Sequence, residues 1–71
     1  MFDRYTDAFM NGHFQLPLQI MRQDDGSYRA TYERPDGQRV EAVADDVAEA
    51  NRRCIDEVRA LVLDGTLQLG R

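Results

Sequence analysis

The stretch DDGSYRATYERPDG, at positions 24–37, encloses eight residues, SYRATYER, between two Asp-Gly turns. Its apolar residues fall on even positions, Tyr28, Ala30 and Tyr32, with Ser27, Arg29, Thr31 and Glu33 between them. Side chains alternate across a strand, so this pattern describes a strand with one apolar face. The alternation extends in both directions. Upstream, Phe14, Leu16, Leu18 and Ile20 are even, whereas Gln15, Pro17, Gln19, Met21 and Gln23 are odd. Downstream, Val40 and Ala42 continue the even set opposite Arg39 and Glu41.

Directly opposed residues of an antiparallel pair point to the same face, so even positions must pair with even ones. A two-residue loop at Asp25-Gly26 would set Ile20 against Thr31 and turn half of the apolar set into water. A three-residue loop, Asp24-Asp25-Gly26, instead pairs Ile20 with Ala30 and Leu18 with Tyr32. That loop is a type I turn closed by a left-handed residue, the position where glycine costs least. Pro35-Asp36-Gly37 repeats the solution and pairs Tyr32 with Val40 and Ala30 with Ala42, with proline preset for the first turn position. Both turns keep one face of the sheet apolar.

A helix follows the strands. Asp46 is its expected N-cap, with Glu49 in an acidic first turn. At about 100° per residue, Val47, Ala50, Cys54, Ile55, Val58, Leu61 and Val62 form one stripe. Glu49 and Arg53 make an i,i+4 pair, and Gly65 ends the helix. Positions 66–69 suggest a short final strand. Near the start, Phe2, Tyr5, Phe9 and Met10 have helical spacing and Asn11-Gly12 stops them. The expected fold is α+β, in the order α-β-β-β-α: a short N-terminal helix, a three-stranded antiparallel meander, and a long C-terminal helix packed on its even face.

At 71 residues the chain is expected to form one small domain. A chain of this size buries only about 60% of the surface its unfolded form exposes. Its single cysteine, Cys54, cannot form an internal disulfide, which fits a reducing cytoplasm. The opening MFDRYTDAFM has neither a basic start nor an apolar run, so neither a secretory leader nor a membrane span is expected. All nine basic residues are arginine, against thirteen acidic residues, for a net charge of −4. Such a chain has no overall attraction for nucleic acid and suits a basic partner.

The residues that could carry chemistry are few. His13 is the only histidine and has no nucleophile at a usable spacing; it reads as an exposed loop residue. Cys54 falls in the apolar stripe and reads as a buried, inert thiol. Asp24 and Asp25 serve the turn rather than a cation, since Gly26 ends the loop without further acidic ligands. Asn51 interrupts the apolar stripe between Val47 and Ile55, where a hydrogen bond to a strand end or to water would satisfy it. No catalytic, cofactor or metal site follows from these residues. The odd face is different. Met21 and Val43 flank Arg29 there, a mixed apolar and arginine patch of the kind enriched at interfaces. With Thr31, Arg39 and Glu41 these residues form the candidate interface. The third strand, QRVEAVA, lacks the proline that would blunt it as a pairing edge. A homodimer through that strand or through the odd face is the expected assembly.

Two families share features with the chain. The element order is similar to that of double-stranded-RNA-binding domains, which grip phosphates with a basic cluster at the start of the last helix. Here that start reads ADDVAEAN, whose acidic residues repel a phosphate backbone. DDGSY and ADDVAEA resemble the HicB-type antitoxin domain, with its DG-x-Y hairpin and G-D-T-x-x-E-A-like helix start. Asp25, Gly26 and Tyr28 match the hairpin, and Asp45, Glu49 and Ala50 match the helix; GQRVEAV replaces the usual P-G-C segment between them. The resemblance implies a reduced ribonuclease-H-like fold, oligomerisation, and a bacterial interaction domain that masks a small RNA-cleaving toxin. The expected function is therefore non-catalytic protein binding, with the partner's identity open. A nucleic-acid-binding module or a small ligand-binding domain is the alternative.

Overall fold

The structure is a computed structural model that describes residues 4–69. Its elements run α1 (Arg4–Met10), β1 (Gln19–Arg22), β2 (Tyr28–Glu33), β3 (Arg39–Ala44) and α2 (Val47–Leu63). The three strands form an antiparallel sheet in the order β1-β2-β3, and α2 packs on β2 and β3. This is the expected α+β order; Phe2, assigned to the first helix, lies outside the described residues.

Both turns take the three-residue form. Gln23 closes the first by donating its amide to Ser27 O at 2.8 Å, and Arg34 closes the second by donating to Gln38 O at 2.8 Å. Gly26 and Gly37 hold φ near +88° and +89°, where an L side chain crowds its own backbone. The even register follows, with Ile20 against Ala30, Ala30 against Ala42 and Tyr32 against Val40.

The first strand is shorter than its alternation suggests. The ladder begins at Gln19 opposite Thr31, so the expected pairing of Leu18 with Tyr32 lies beyond its end. Antiparallel residues alternate between hydrogen-bonded and open pairs. Counted from the turn, the odd positions of β1 aim their amides at β2, and Pro17 falls in that series without an N–H to give. The even alternation still serves packing: Leu16 is buried, and Phe14 and Leu18 are partly buried against the core.

Helix α2 starts where Asp46 Oδ1 accepts the Glu49 amide at 2.8 Å. Ala50, Cys54, Val58 and Val62 are buried in the sheet-facing stripe. Val47, in the first turn, departs from the expected stripe and is 45% exposed. Both helices end the same way. Gly65 donates to Val62 O and Thr66 to Leu61 O after α2, and Gly12 donates to Phe9 O and His13 to Ala8 O after α1. These paired bonds satisfy the last carbonyls of each helix.

The ends of the chain correct two further expectations. Of the face expected on α1, Phe9 is buried, but Tyr5 is 57% exposed and meets Phe14 edge-on with ring centroids 6.0 Å apart. Thr6 takes the buried place instead. Positions 66–69 form no strand. That segment folds back so that Leu67 is buried and the Leu69 amide donates to Thr6 Oγ1 at 3.1 Å. Among the described residues, no helix is long and apolar enough to cross a membrane.

Candidate interaction face

Helix α2 covers the even face of β2 and β3, leaving Ile20 on β1 38% exposed, and the odd face of the sheet is left uncovered. Register fixes what stands on it. Met21, Arg29 and Val43 form one row across the three strands, Gln19, Thr31 and Glu41 the next, and Glu33 and Arg39 the last on β2 and β3. Met21 is 65% exposed and Val43 44% exposed, so the two large apolar side chains flanking Arg29 both face water. Five of the six residues expected at the interface, Met21, Arg29, Thr31, Arg39 and Glu41, line one depression together with Gln19. Val43 borders it through its pairing with Arg29.

Polar contacts link the side chains of the face. Thr31 Oγ1 donates to Glu41 Oε2 at 3.3 Å, and the Arg29 guanidinium lies 3.9 Å from the same oxygen. With its amide oxygen turned toward Arg29, Gln23 accepts from Nε and Nη2 at 3.0 and 3.2 Å. Arg39 makes no ion pair among the described residues.

Beside this face runs the outer edge of β3. Counting from the Arg34–Gln38 closure, Val40, Ala42 and Ala44 turn their amide groups to β2, and Arg39, Glu41 and Val43 turn theirs outward. One outward group is occupied. Arg53 Nη1, from α2, donates to Val43 O at 3.1 Å, while Arg53 Nε is held by Glu49 at 2.9 Å. The sequence shows the Glu49–Arg53 spacing but not the second contact, because nothing local links position 53 to position 43. Arg34 is a similar case. Its Nη2 lies 2.9 Å from Asp36 Oδ2 and donates to Thr66 O at 3.5 Å, tying the second turn to the end of α2.

The remaining candidates take structural places. His13 is exposed in the loop after α1. Cys54 is fully buried, its thiol donates to Val40 O at 3.5 Å, and burial pushes its pKa up, away from the reactive thiolate. Asp25 accepts both the amide and the hydroxyl of Ser27, at 2.9 and 2.6 Å, and these bonds lower its pKa. Asn51 is half-buried in α2 and its side-chain amide bonds no strand end among the described residues, which leaves water as the expected partner. Among the described residues, no group of three or more His, Cys, Asp or Glu is placed to hold a metal ion. The chain matches no protein-family model, no curated protein and no solved structure.

Proposed function

We propose that this protein is a non-catalytic, bacterial, cytoplasmic interaction domain that binds and masks a protein partner through the odd face of its sheet. The observation that carries the reading is the row Met21–Arg29–Val43. Two exposed apolar side chains flank an arginine that Gln23, just after β1, and Glu41 on β3 approach. Arginine set among apolar groups is a composition enriched at binding surfaces, because it supplies planar hydrogen bonding while its stem packs. The resemblance of the hairpin and helix start to HicB-like antitoxins supports the same reading, with a small basic toxin as the partner class. The acidic start of α2, with Asp45, Asp46 and Glu49, speaks against a nucleic-acid backbone as the ligand.

The test is affinity capture from native lysate on the immobilised chain, read by mass spectrometry. Wild type, Met21→Asp and Arg29→Glu are compared, with far-UV circular dichroism to confirm folding. Specific capture by wild type and its loss in both variants is the expected result. Capture that survives both substitutions overturns the assignment of the odd face.

A further inference from the structure

The outer edge of β3 carries a charge pattern that complements itself. On it Arg39 and Glu41 both turn their N–H and C=O groups outward, with no hydrogen bond from elsewhere in the described chain. The next outward carbonyl, that of Val43, is taken by Arg53. We infer that a second copy of this chain pairs with the free segment, antiparallel, about a two-fold axis at Val40, to make one continuous six-stranded sheet. This rests on the reading of the chain as an interaction domain and names one of its partners.

Charge selects the register. Opposed residues on an edge must both turn their amides outward, so only shifts of two residues are allowed. An axis at Val40 sets Arg39 opposite Glu41 of the second copy, and Glu41 opposite Arg39 of that copy. Each pair exchanges both of its amide bonds, and each brings opposite charges together on the odd face. Moving the axis one way opposes Arg39 to itself; moving it the other opposes Glu41 to itself. A further shift sets Glu41 against Val43 and forces Arg53 to release the Val43 carbonyl. Only the register at Val40 satisfies the free groups of both Arg39 and Glu41, avoids like charges and leaves the Arg53 contact intact.

The helices fit the same arrangement. Strands lie about 4.8 Å apart, and α2 packs on β2 and β3 together. A helix over the middle of that pair stands about 5 Å from the new axis, so its copy lies about 10 Å away, at the outer end of ordinary helix packing. Both odd faces remain open on the opposite side of the joined sheet.

Sedimentation equilibrium on wild type, Arg39→Glu and Glu41→Arg, each alone and the two variants mixed, tests the pairing. Wild type is expected to sediment as a dimer at micromolar concentration. Each variant alone opposes like charges twice and should dissociate at roughly tenfold lower affinity or worse. Their equimolar mixture restores opposite charges at both pairs and should recover the dimer. Should Arg39→Glu fail to fold by circular dichroism, Arg39→Gln takes its place and should still weaken the dimer. A wild-type mass of one chain, a variant that dimerises alone as wild type does, or a mixture no more associated than its components overturns the proposal. A one-chain mass with lysate capture intact removes the dimer alone. A two-chain mass with the charge rescue and no lysate capture upholds the dimer and removes only the masking of a foreign partner.

Discussion

Asp25, Asp36 and Asp64 each precede a glycine, and each carboxylate accepts the amide two residues on, from Ser27, Gln38 and Thr66, at 2.9 Å. Sequence alone predicts the two hairpin turns because a two-residue loop would oppose even to odd, whereas the three-residue loop keeps even opposite even. At Gly26 and Gly37 no neighbouring atom lies within 4 Å of an added Cβ, so replacing either glycine costs backbone strain and not a clash. Gly26→Val and Gly37→Val are therefore each expected to destabilise by roughly 1 kcal/mol or more, because a β-branched residue resists the left-handed region. Urea denaturation reads this directly. Midpoints equal to wild type for both would contradict the strain argument.

At the scale of elements, α2 offers a comparison between neighbouring residues. Val58 is fully buried mid-stripe, so Val58→Ala should cost on the order of 2 kcal/mol from lost burial and a residual cavity. Arg59 stands on the flank, with its guanidinium 5.3 Å from the centre of the Phe9 ring and 3.7 Å from Asp56. Arg59→Ala should cost about 0.5–1 kcal/mol, a contribution that the helical spacing does not reveal. Equal losses in denaturation would mean that the cation over Phe9 contributes as much as the core methyls. The same contrast explains what was legible. Period and turn chemistry identify the register, the Asp46 cap and the buried stripe, since all are local or repeat along the chain. Pro17 curtailing β1, Thr6 displacing Tyr5 from the core and Arg53 reaching Val43 depend on contacts between distant positions. The odd-face patch was legible because its members follow from register alone; the sealed end of the edge beside it was not.

For the whole molecule, stability should form a plateau in pH. The hydrogen bonds of Ser27 to Asp25, of Arg52 and Arg53 to Glu49, and of Thr66 to Asp64 all lower these carboxyl pKa values from their ordinary 3.8, 4.5 and 3.8. A carboxylate with a lowered folded pKa stabilises the fold above its unfolded value, and that contribution is lost as pH falls through the folded one. Burial raises the Cys54 thiol and the Tyr32 phenol above their ordinary 9.0 and 10.0. Their contribution is complete below those values and is lost as pH rises through the folded ones. Urea midpoints should thus be level from about pH 5 to about pH 8 and fall on both sides. A midpoint that climbs between about pH 5 and about pH 3 would contradict the assigned carboxylate bonds.

The glycines that follow Asn11, Asp25, Asp36 and Asp64 have one more property in common. Their amides donate to Phe9, Gln23, Arg34 and Val62 respectively. Asn-Gly and Asp-Gly links age chemically when the glycine nitrogen attacks the preceding side-chain carbonyl carbon and expels ammonia from Asn or water from Asp, closing a succinimide that water reopens largely to isoaspartate. In the folded chain each attacking nitrogen is committed to a hydrogen bond, and all three Asp carboxyls are fixed on the amide two residues on. The reaction must therefore wait for a turn to open, and openings of this kind have their own free energies, separate from global unfolding. Isoaspartate accumulating at each position in stored protein becomes a clock for the opening of that turn.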